Sequence, residues 1–286
     1  MPGEAGGLPQ FGQRRPAHHL GHLTKILTGA TRAVIVEHLY GHPADMTALN
    51  EITNPRCIAV IEYAAHALGA RWHGRPAGSL SLAGIHSFAG KGIDTRLPGG
   101  AVITDDHALA DQVELMRRHG RTRANGRRNY TPQRVGFSLL MSEVGCAVGM
   151  VQLRHFAARQ ARRARIFEIY QRAFHGLTLV RLLPIQAGAE PSFLHIGVHS
   201  ARRDDLHDFL TGHGVGTNVY YADLVHQQPC FIKAMGYHPG SFPGAEAFHQ
   251  TVLVLPCHVD MEEAEQRRII QLIHTYETRH GGDRCE

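Results

Sequence analysis

Cysteine is scarce in this chain of 286 residues. The five cysteines are scattered, and none forms a C-x-x-C pair. This pattern argues against a disulfide framework and a zinc ribbon, and it predicts a reduced, cytoplasmic setting. No apolar run approaches the roughly 18 residues that a membrane-spanning helix needs, and residues 1–22 contain no apolar signal core. The sequence therefore predicts a soluble protein.

Metal-binding patterns are also absent, although histidine is common, with 22 copies. The histidines are irregularly spaced and form neither an H-E-x-x-H motif nor a Cys/His cluster. Most of them are therefore expected at the surface or in packing. The formal charge of +5 suits an anionic ligand, but it is too weak by itself to indicate nucleic acid.

Two basic stretches, residues 117–128 and 158–165, stand out from this modest charge. They have two open interpretations. Either they form a solvated loop and helix face, or they provide a field for the diphosphate of a nucleotide-linked sugar, because arginine forks match phosphate oxygens. No known nucleic-acid-binding module accompanies them.

The first half of the chain alternates apolar runs with helical patterns. Residues 33–39 and 57–61 are apolar runs with β-branched residues, typical of buried parallel strands, and residues 43–52 between them predict a short helix. This β-α-β unit predicts a parallel sheet. Further strands are predicted at 85–88 and 101–104, and a further helix at 106–118.

The second half begins with a long helical pattern at residues 142–174, which predicts a helix that is straight or bent and that leaves the first domain. A small α+β pattern follows it. Its strands are predicted at 193–198, 217–220 and 252–255, and its helices at 202–213 and 261–279.

These patterns predict a division of the chain into parts. We expect a mobile leader at 1–22, a large α/β domain at 23–145, a connecting helix at 146–180 and a small C-terminal α+β domain at 181–286.

Three ordered segments carry the chemistry. They are HLYGHPADM at 38–46, the region 60–106 with the motif HSFAGKG inside it, and GFSLLMSE at 136–143. Together they resemble the DegT/DnrJ/EryC1/StrS family of sugar aminotransferases, which depend on pyridoxal 5'-phosphate. Weaker similarity extends the resemblance to nearly everything after residue 22.

The resemblance implies a fold-type I α/β transferase, similar to aspartate aminotransferase, with an incomplete large domain around a mostly parallel sheet. It implies amino transfer from glutamate or glutamine to a nucleotide-linked keto-sugar or a keto-cyclitol, in the biosynthesis of deoxyaminosugars, antibiotics or cell-surface sugars. It also implies a homodimer with active sites at its interface. Neither nucleic acid nor a membrane is expected as a partner.

The resemblance also assigns roles to single residues. A transaminase holds pyridoxal phosphate as a Schiff base to a lysine, which later shuttles a proton. Lys91 matches that lysine, whereas Lys25 and Lys233 lie in no comparable setting. Ser87 matches a serine that hydrogen-bonds the cofactor phosphate, and His66 matches a Gln or His near the cofactor's phenolic oxygen. If they have no such roles, Lys91 is an ordinary solvated lysine, Ser87 an ordinary serine at the end of a strand and His66 a buried, packed histidine.

The most consequential departure from the family pattern is Tyr63, which replaces the acid that pairs with the pyridine nitrogen. A phenol is uncharged near pH 7, so it offers a hydrogen bond instead of a charge. The resemblance then implies a weaker electron sink and slow or absent transamination.

Other departures concern the loop, the partner contact and the start of the chain. The interval from Ser87 to Lys91 is one residue shorter than usual. Ser138 replaces an asparagine that reaches the partner subunit's cofactor phosphate, and Leu140 replaces an arginine. An upstream family segment with a phosphate-binding turn has no counterpart in residues 1–21, so we expect an N-terminally truncated or divergent member.

Three functions remain open on this basis. The first is an active sugar aminotransferase, and the second is a catalytically impaired or inactive truncated paralogue that acts as an oligomeric partner. The third is another pyridoxal-phosphate reaction on a similar sugar. The family's dehydratase branch replaces the lysine with histidine, so Lys91 argues against the third.

Overall fold

The computed structural model describes residues 17–90, 92–121, 123–124, 127–128 and 131–281. Lys91 and residues 1–16 lie outside these ranges. The strands are β1 (Ala33–Glu37), β2 (Ala59–Tyr63), β3 (Arg71–Trp72), β4 (Arg75–Pro76), β5 (Ala83–Ser87), β6 (Gly100–Ile103), β7 (Arg123–Ala124), β8 (Arg127–Arg128), β9 (Arg181–Leu182), β10 (Ala189–Glu190), β11 (Ile196–His199) and β12 (Val252–Leu255). The α-helices are α1 (Ala17–Ile26), α2 (Met46–Thr53), α3 (His107–Arg117), α4 (Glu143–Arg154), α5 (Phe156–Ala173), α6 (Arg203–Gly212), α7 (Pro229–Met235), α8 (Pro243–Thr251) and α9 (Glu263–His280).

The main sheet has the strand order β1-β2-β5-β6. The first three strands are parallel, with Ile35 opposite Ile61 and Tyr63 opposite Ile85. Strand β6 is antiparallel to β5. Because α2 connects β1 to β2, the predicted β-α-β unit is confirmed, and so is the mostly parallel sheet.

Helix α2 starts later than the sequence pattern predicts, at Met46 instead of Pro43. The Asp45 carboxylate caps the helix by accepting a hydrogen bond from the Ala48 N–H at 2.9 Å. An aspartate in this role sits just before the first helical residue, so it fixes the start of the helix.

The two faces of the main sheet differ in burial. One face packs Val36 and Val60 against Leu49 of α2. On the other face, Ile35 is 70% exposed and Ile85 is 37% exposed. The apolar runs predict buried strands, and within the described part of the chain that burial is found on one face only. Alternate side chains of a strand point to opposite faces, and only one face is covered here.

The long helical stretch predicted at 142–174 is two helices, α4 and α5, which meet at His155. The backbone of His155 leaves the helical region with φ −97° and ψ 1°. The Ser142 hydroxyl caps α4 by accepting a hydrogen bond from the Gly145 N–H at 3.0 Å. Of the two forms that the sequence left open, straight or bent, the structure has the bent one, as a break at one residue.

The C-terminal part contains the antiparallel sheet β12-β11-β9, packed on α5, α6 and α9. Its core includes Tyr170, Leu206, Leu253 and Ile273, all fully buried. The strand predicted at 217–220 is a single bridge between Asn218 and Val254, so that prediction is wrong. A strand needs a run of paired residues, and this segment pairs at only one.

The division of the chain into a leader, two domains and a connecting helix stays a prediction. Helix α1 crosses the predicted end of the leader at residue 22. No helix within the described ranges is both long and apolar enough to cross a membrane.

Burial lowers the pKa of His42 to about 4. The folded protein therefore holds this imidazole neutral, while the unfolded chain takes up a proton below about pH 6.5. This contribution to stability is fully present above the pKa that His42 has in the unfolded chain. It is lost as the pH falls from that value through the pKa that His42 has in the folded protein. We expect His42 to account for a loss of about 3 kcal/mol in the free energy of unfolding between pH 7 and pH 4. Denaturant titrations across this range measure it.

The variant His42→Gln should flatten this part of the pH dependence. The matched control is His274→Gln, since His274 is exposed on α9. If both variants keep the wild-type slope, His42 does not titrate between the folded and unfolded states as stated.

Candidate active site at the carboxyl edge of the sheet

Three of the residues singled out from the sequence lie at one edge of the main sheet. Tyr63 is the last residue of β2, and Ser87 is the last residue of β5. Because β2 and β5 are parallel and Tyr63 pairs with Ile85, both strands end at the same edge. His66 follows β2 in the next turn. The carboxyl edge of parallel strands is where ligands bind in open α/β sheets.

Ser87 opens the loop that leads towards Lys91. Its side chain is half-buried, and its hydroxyl accepts a hydrogen bond from the Ala89 N–H at 3.3 Å. Further along, the Asp94 carboxylate accepts from the Gly90 N–H at 3.1 Å. Gly90 has φ 71°, in the left-handed region that glycine adopts without strain. Lys91 itself lies outside the described residues, so its predicted role stays a prediction.

The loop is also attached to α4. The Asp94 N–H donates to Oε1 of Gln152 at 3.0 Å, and the Gln152 side-chain amide donates back to the Asp94 carbonyl. Thr95 closes the loop against β5, because its N–H donates to the Phe88 carbonyl at 3.0 Å. Hydrogen bonds therefore hold the segment on both sides of Lys91.

His66 is buried, with 2% of its surface exposed, and it lies among aromatic rings from the C-terminal part. Its ring stands edge-on to His195 at 4.8 Å between centroids, and it stacks with Tyr221 at 6.3 Å. The Tyr221 hydroxyl lies 3.4 Å from Nε2 of His66. The Ser192 hydroxyl donates to the His66 carbonyl at 2.8 Å. His66 is therefore both a packed, buried histidine and a residue at the carboxyl edge of the sheet. Its burial does not conflict with its predicted role in the site.

Tyr63 is 39% exposed, on the open face of the sheet. The pKa of the neighbouring Tyr221 is raised, first by burial and then by Glu37 and Tyr63. Two phenols thus share this edge. The nearest carboxylate along β2, Glu62, points to the opposite face, as strand alternation requires.

Glu62 is the residue at this edge that the sequence reasoning missed. It is fully buried, and its carboxylate accepts hydrogen bonds from His38 at 2.9 Å, the Gly78 N–H at 2.6 Å and the Leu80 N–H at 2.7 Å. The Ser81 hydroxyl donates to it at 3.0 Å. Burial by itself would raise the pKa of the Glu62 carboxyl, but these hydrogen bonds outweigh it and hold the pKa below its usual range. A charged residue directly after the apolar run 57–61 was the signal that could have found it.

A pocket adjoins the edge. Tyr220 and Tyr221 line it together with Leu39, Leu224 and Phe248. The carboxylates of Glu37 and Asp223 also border it. Such a pocket accepts an apolar group and disfavours an anion, since both bordering charges are negative.

Ser138 is not brought to this edge by any contact in the described part of the chain. It is exposed and pairs through its backbone with Arg118, beyond the end of α3. The resemblance places its role across a subunit interface, so its role stays a prediction.

The basic stretch at 158–165 is not a uniformly solvated helix face. Arg163 is 9% exposed, and burial lowers its pKa. The Arg162 guanidinium donates to the Met261 carbonyl at 2.6 Å. These two arginines serve packing between α5 and the segment before α9.

Known proteins are similar to this chain in sequence and in architecture. The model of the DegT/DnrJ/EryC1/StrS aminotransferase family matches residues 18–274. The dTDP-3-amino-3,4,6-trideoxy-alpha-D-glucose transaminase of Streptomyces venezuelae is 33% identical over 258 residues, which cover 89% of this chain and 66% of that protein. The erythromycin biosynthesis sensory transduction protein EryC1 of Saccharopolyspora erythraea is 35% identical over 242 residues, covering 84% of this chain and 64% of that protein.

A solved structure supports the same assignment. The structure of DesV from Streptomyces venezuelae, in complex with a ketimine intermediate, superimposes with a TM-score of 0.85 at 32% identity. The match covers 90% of this chain and 68% of DesV.

The sheet order and the structural match define a fold-type I α/β transferase architecture, as the resemblance implied. The chain belongs to the DegT/DnrJ/EryC1/StrS aminotransferase family. It spans slightly less than two thirds of these two curated relatives, at 66% and 64% of their lengths.

Proposed function

We propose that this chain is a pyridoxal-phosphate-dependent aminotransferase. Its acceptor is a keto-sugar, either nucleotide-linked or a cyclitol, and its donor is glutamate or glutamine. The transaminase name of the Streptomyces venezuelae relative supports this reaction class. The observation that carries the proposal is the placement of Tyr63, His66 and Ser87 at one carboxyl edge of the parallel sheet. We place the reaction in the cytoplasm.

The residues of this edge fit most of the cofactor. The Ser87 hydroxyl is suited to donate a hydrogen bond to a phosphate, and the His66 imidazole is suited to contact a phenolic oxygen. The fit fails on the ring-nitrogen side, where Tyr63 offers a phenol and no carboxylate. When bound, pyridoxal phosphate supplies the electron sink for amino transfer.

Within this assignment each residue has one task. The Lys91 amine would hold the cofactor and move the proton, as the family lysine does. Ser87 would bind the phosphate end of the cofactor and His66 would orient its ring. Tyr63 would offer the ring nitrogen a hydrogen bond but no negative charge, so the nitrogen would stay unprotonated.

A second copy of this chain completes the proposed assembly. The segment 135–153 exposes apolar side chains that a monomer would leave in water: Val135, Phe137, Leu139, Leu140, Val144, Val148, Met150, Val151 and Leu153. So many exposed apolar side chains within one segment are typical of a protein interface. Ser138 lies in the same segment, which supports its proposed contact with the partner subunit.

The first test concerns Lys91. Purified protein mixed with pyridoxal phosphate should develop a long-wavelength absorbance band, and borohydride should fix the cofactor on the Lys91 peptide. We expect Lys91→Ala to lose both signals completely, because the attachment needs the amine. The matched controls are Lys25→Ala and Lys233→Ala, which should keep them. Absence of the band in the wild type, with free cofactor recovered, would favour the non-catalytic oligomeric partner instead.

The second test concerns Tyr63. Tyr63→Asp restores a carboxylate beside the ring nitrogen, so the pKa of the bound pyridinium should rise by about one to three pH units. A pH titration with isotope-labelled cofactor followed by nitrogen NMR measures this directly. The first half-reaction with glutamate should accelerate in parallel. Tyr63→Phe is the control and should leave the nitrogen unprotonated. An unchanged titration in Tyr63→Asp would place Tyr63 away from the ring nitrogen.

The third test concerns the exposed segment. Val144 is 68% exposed on α4, so Val144→Glu should barely affect the folding of the monomer, yet it would bury a charge in a dimer. We expect sedimentation to show a wild-type dimer and a dissociation constant weakened by roughly tenfold or more in the variant. The control is Ile232→Glu on α7, where the isoleucine is also exposed. A monomeric wild type would contradict the dimer, and a dimeric variant would move its interface elsewhere.

A further inference from the structure

The carboxylate of Glu62 joins segments that are distant in sequence. Its donors are His38, at the end of β1, and Gly78, Leu80 and Ser81, in the loop that enters β5. Glu62 itself is the penultimate residue of β2. One fully buried carboxylate therefore connects all three parallel strands of the main sheet.

The hydrogen-bond network of Glu62 continues through His38 into the turn that follows β1. Nδ1 of His38 accepts a hydrogen bond from the Ala44 N–H at 3.0 Å, so Nε2 carries the proton that is donated to Glu62. This fixes the turn from residue 38 to residue 44. Within that turn, the Tyr40 hydroxyl donates to the Tyr220 carbonyl at 2.6 Å, beside the ring of His66.

The connection at β5 is made by backbone packing. The N–H groups of Gly78 and Leu80 hold the loop to Glu62, and the loop lies directly on β5 at Gly84. A Cβ added at Gly84 would collide with the backbone of Gly78. The position of the loop therefore sets the position of β5, and with it the position of Ser87 at the strand end.

Glu62 does not itself face the site. Its neighbour Tyr63 points to the open face, and Glu62 points to the covered one. Any effect of Glu62 on a ligand at the edge must therefore pass through the backbones of the strands that it joins.

We infer that Glu62, with His38, is a positioning residue that holds the ends of β1, β2 and β5 in the one arrangement that places Tyr63, His66 and Ser87 around a bound cofactor. The inference rests on the proposed function for its ligand, but the arrangement of the strand ends is a property of the chain alone. A buried carboxylate stabilises little compared with apolar packing, whereas its directional hydrogen bonds specify one geometry.

Glu62→Gln tests the arrangement. A glutamine keeps one acceptor oxygen but turns an NH₂ group towards two of the four donors, so the network cannot close. Hydrogen exchange followed by mass spectrometry should show exchange accelerated by about tenfold or more in residues 38–44, 63–67 and 78–87 together. The control is Leu49→Ala, a buried residue of the same core on α2. When exchange is compared at temperatures equally far below the melting temperature of each variant, the effect of Leu49→Ala should not be concentrated in these three segments.

His38 variants guard against a Glu62 variant that does not fold. His38→Gln can still accept from Ala44 and donate to Glu62, so it should keep most of the protection, whereas His38→Phe should lose it. Exchange that is unchanged in all three segments in both Glu62→Gln and His38→Phe would overturn the inference, whether or not the protein binds cofactor.

Binding of pyridoxal phosphate gives the functional readout. Measured by absorbance well below the melting temperature, its dissociation constant should weaken by roughly tenfold or more in Glu62→Gln and stay within about twofold in Leu49→Ala. Equal weakening in both variants would reduce Glu62 to a purely structural role and overturn the inference. A wild type that binds no cofactor would refute the proposed function, and hydrogen exchange alone would then decide on the arrangement of the strand ends.

Discussion

Parallel pairing of β1, β2 and β5 is the constraint on which the rest of the structure depends. Strands that run the same way must end at the same edge, and the residues just after each strand are then neighbours even though they are far apart in sequence. Tyr63 and Ser87, the last residues of β2 and β5, reach the same edge in this way. The antiparallel β6 closes one side of this arrangement, and the loop between β5 and β6 carries the segment around Lys91.

The C-terminal part contributes to the same edge through aromatic contacts. Tyr40, from the turn after β1, is fully buried and lies in one apolar cluster with Phe248, Val252 and Val254. The rings of His195 and Tyr220 pack between Tyr40 and His66. The candidate site is therefore built from both parts of the chain, and a shift of one part against the other would alter the surroundings of His66.

Burial is unevenly distributed over the molecule. The covered face of the main sheet and the C-terminal core are well packed, whereas the open face and the segment 135–153 present isoleucine, valine and leucine side chains to solvent. Apolar surface of this extent is costly in water, because each side chain gives up the free energy it would gain from burial. In the proposed dimer, a second copy of the chain covers the segment 135–153.

The sequence by itself determined the local elements and the family. The apolar runs at β1 and β2 and the helical periods of α2, α3 and α9 depend on neighbours in sequence, and the ordered motifs around His38, Ser87 and Ser138 identified the relatives. The tertiary structure alone decided that one face of the sheet is open and that 217–220 pairs at a single residue. It also decided that Glu62 joins His38 to the loop at Gly78, since a hydrogen bond between residues so far apart leaves no period or motif in the sequence.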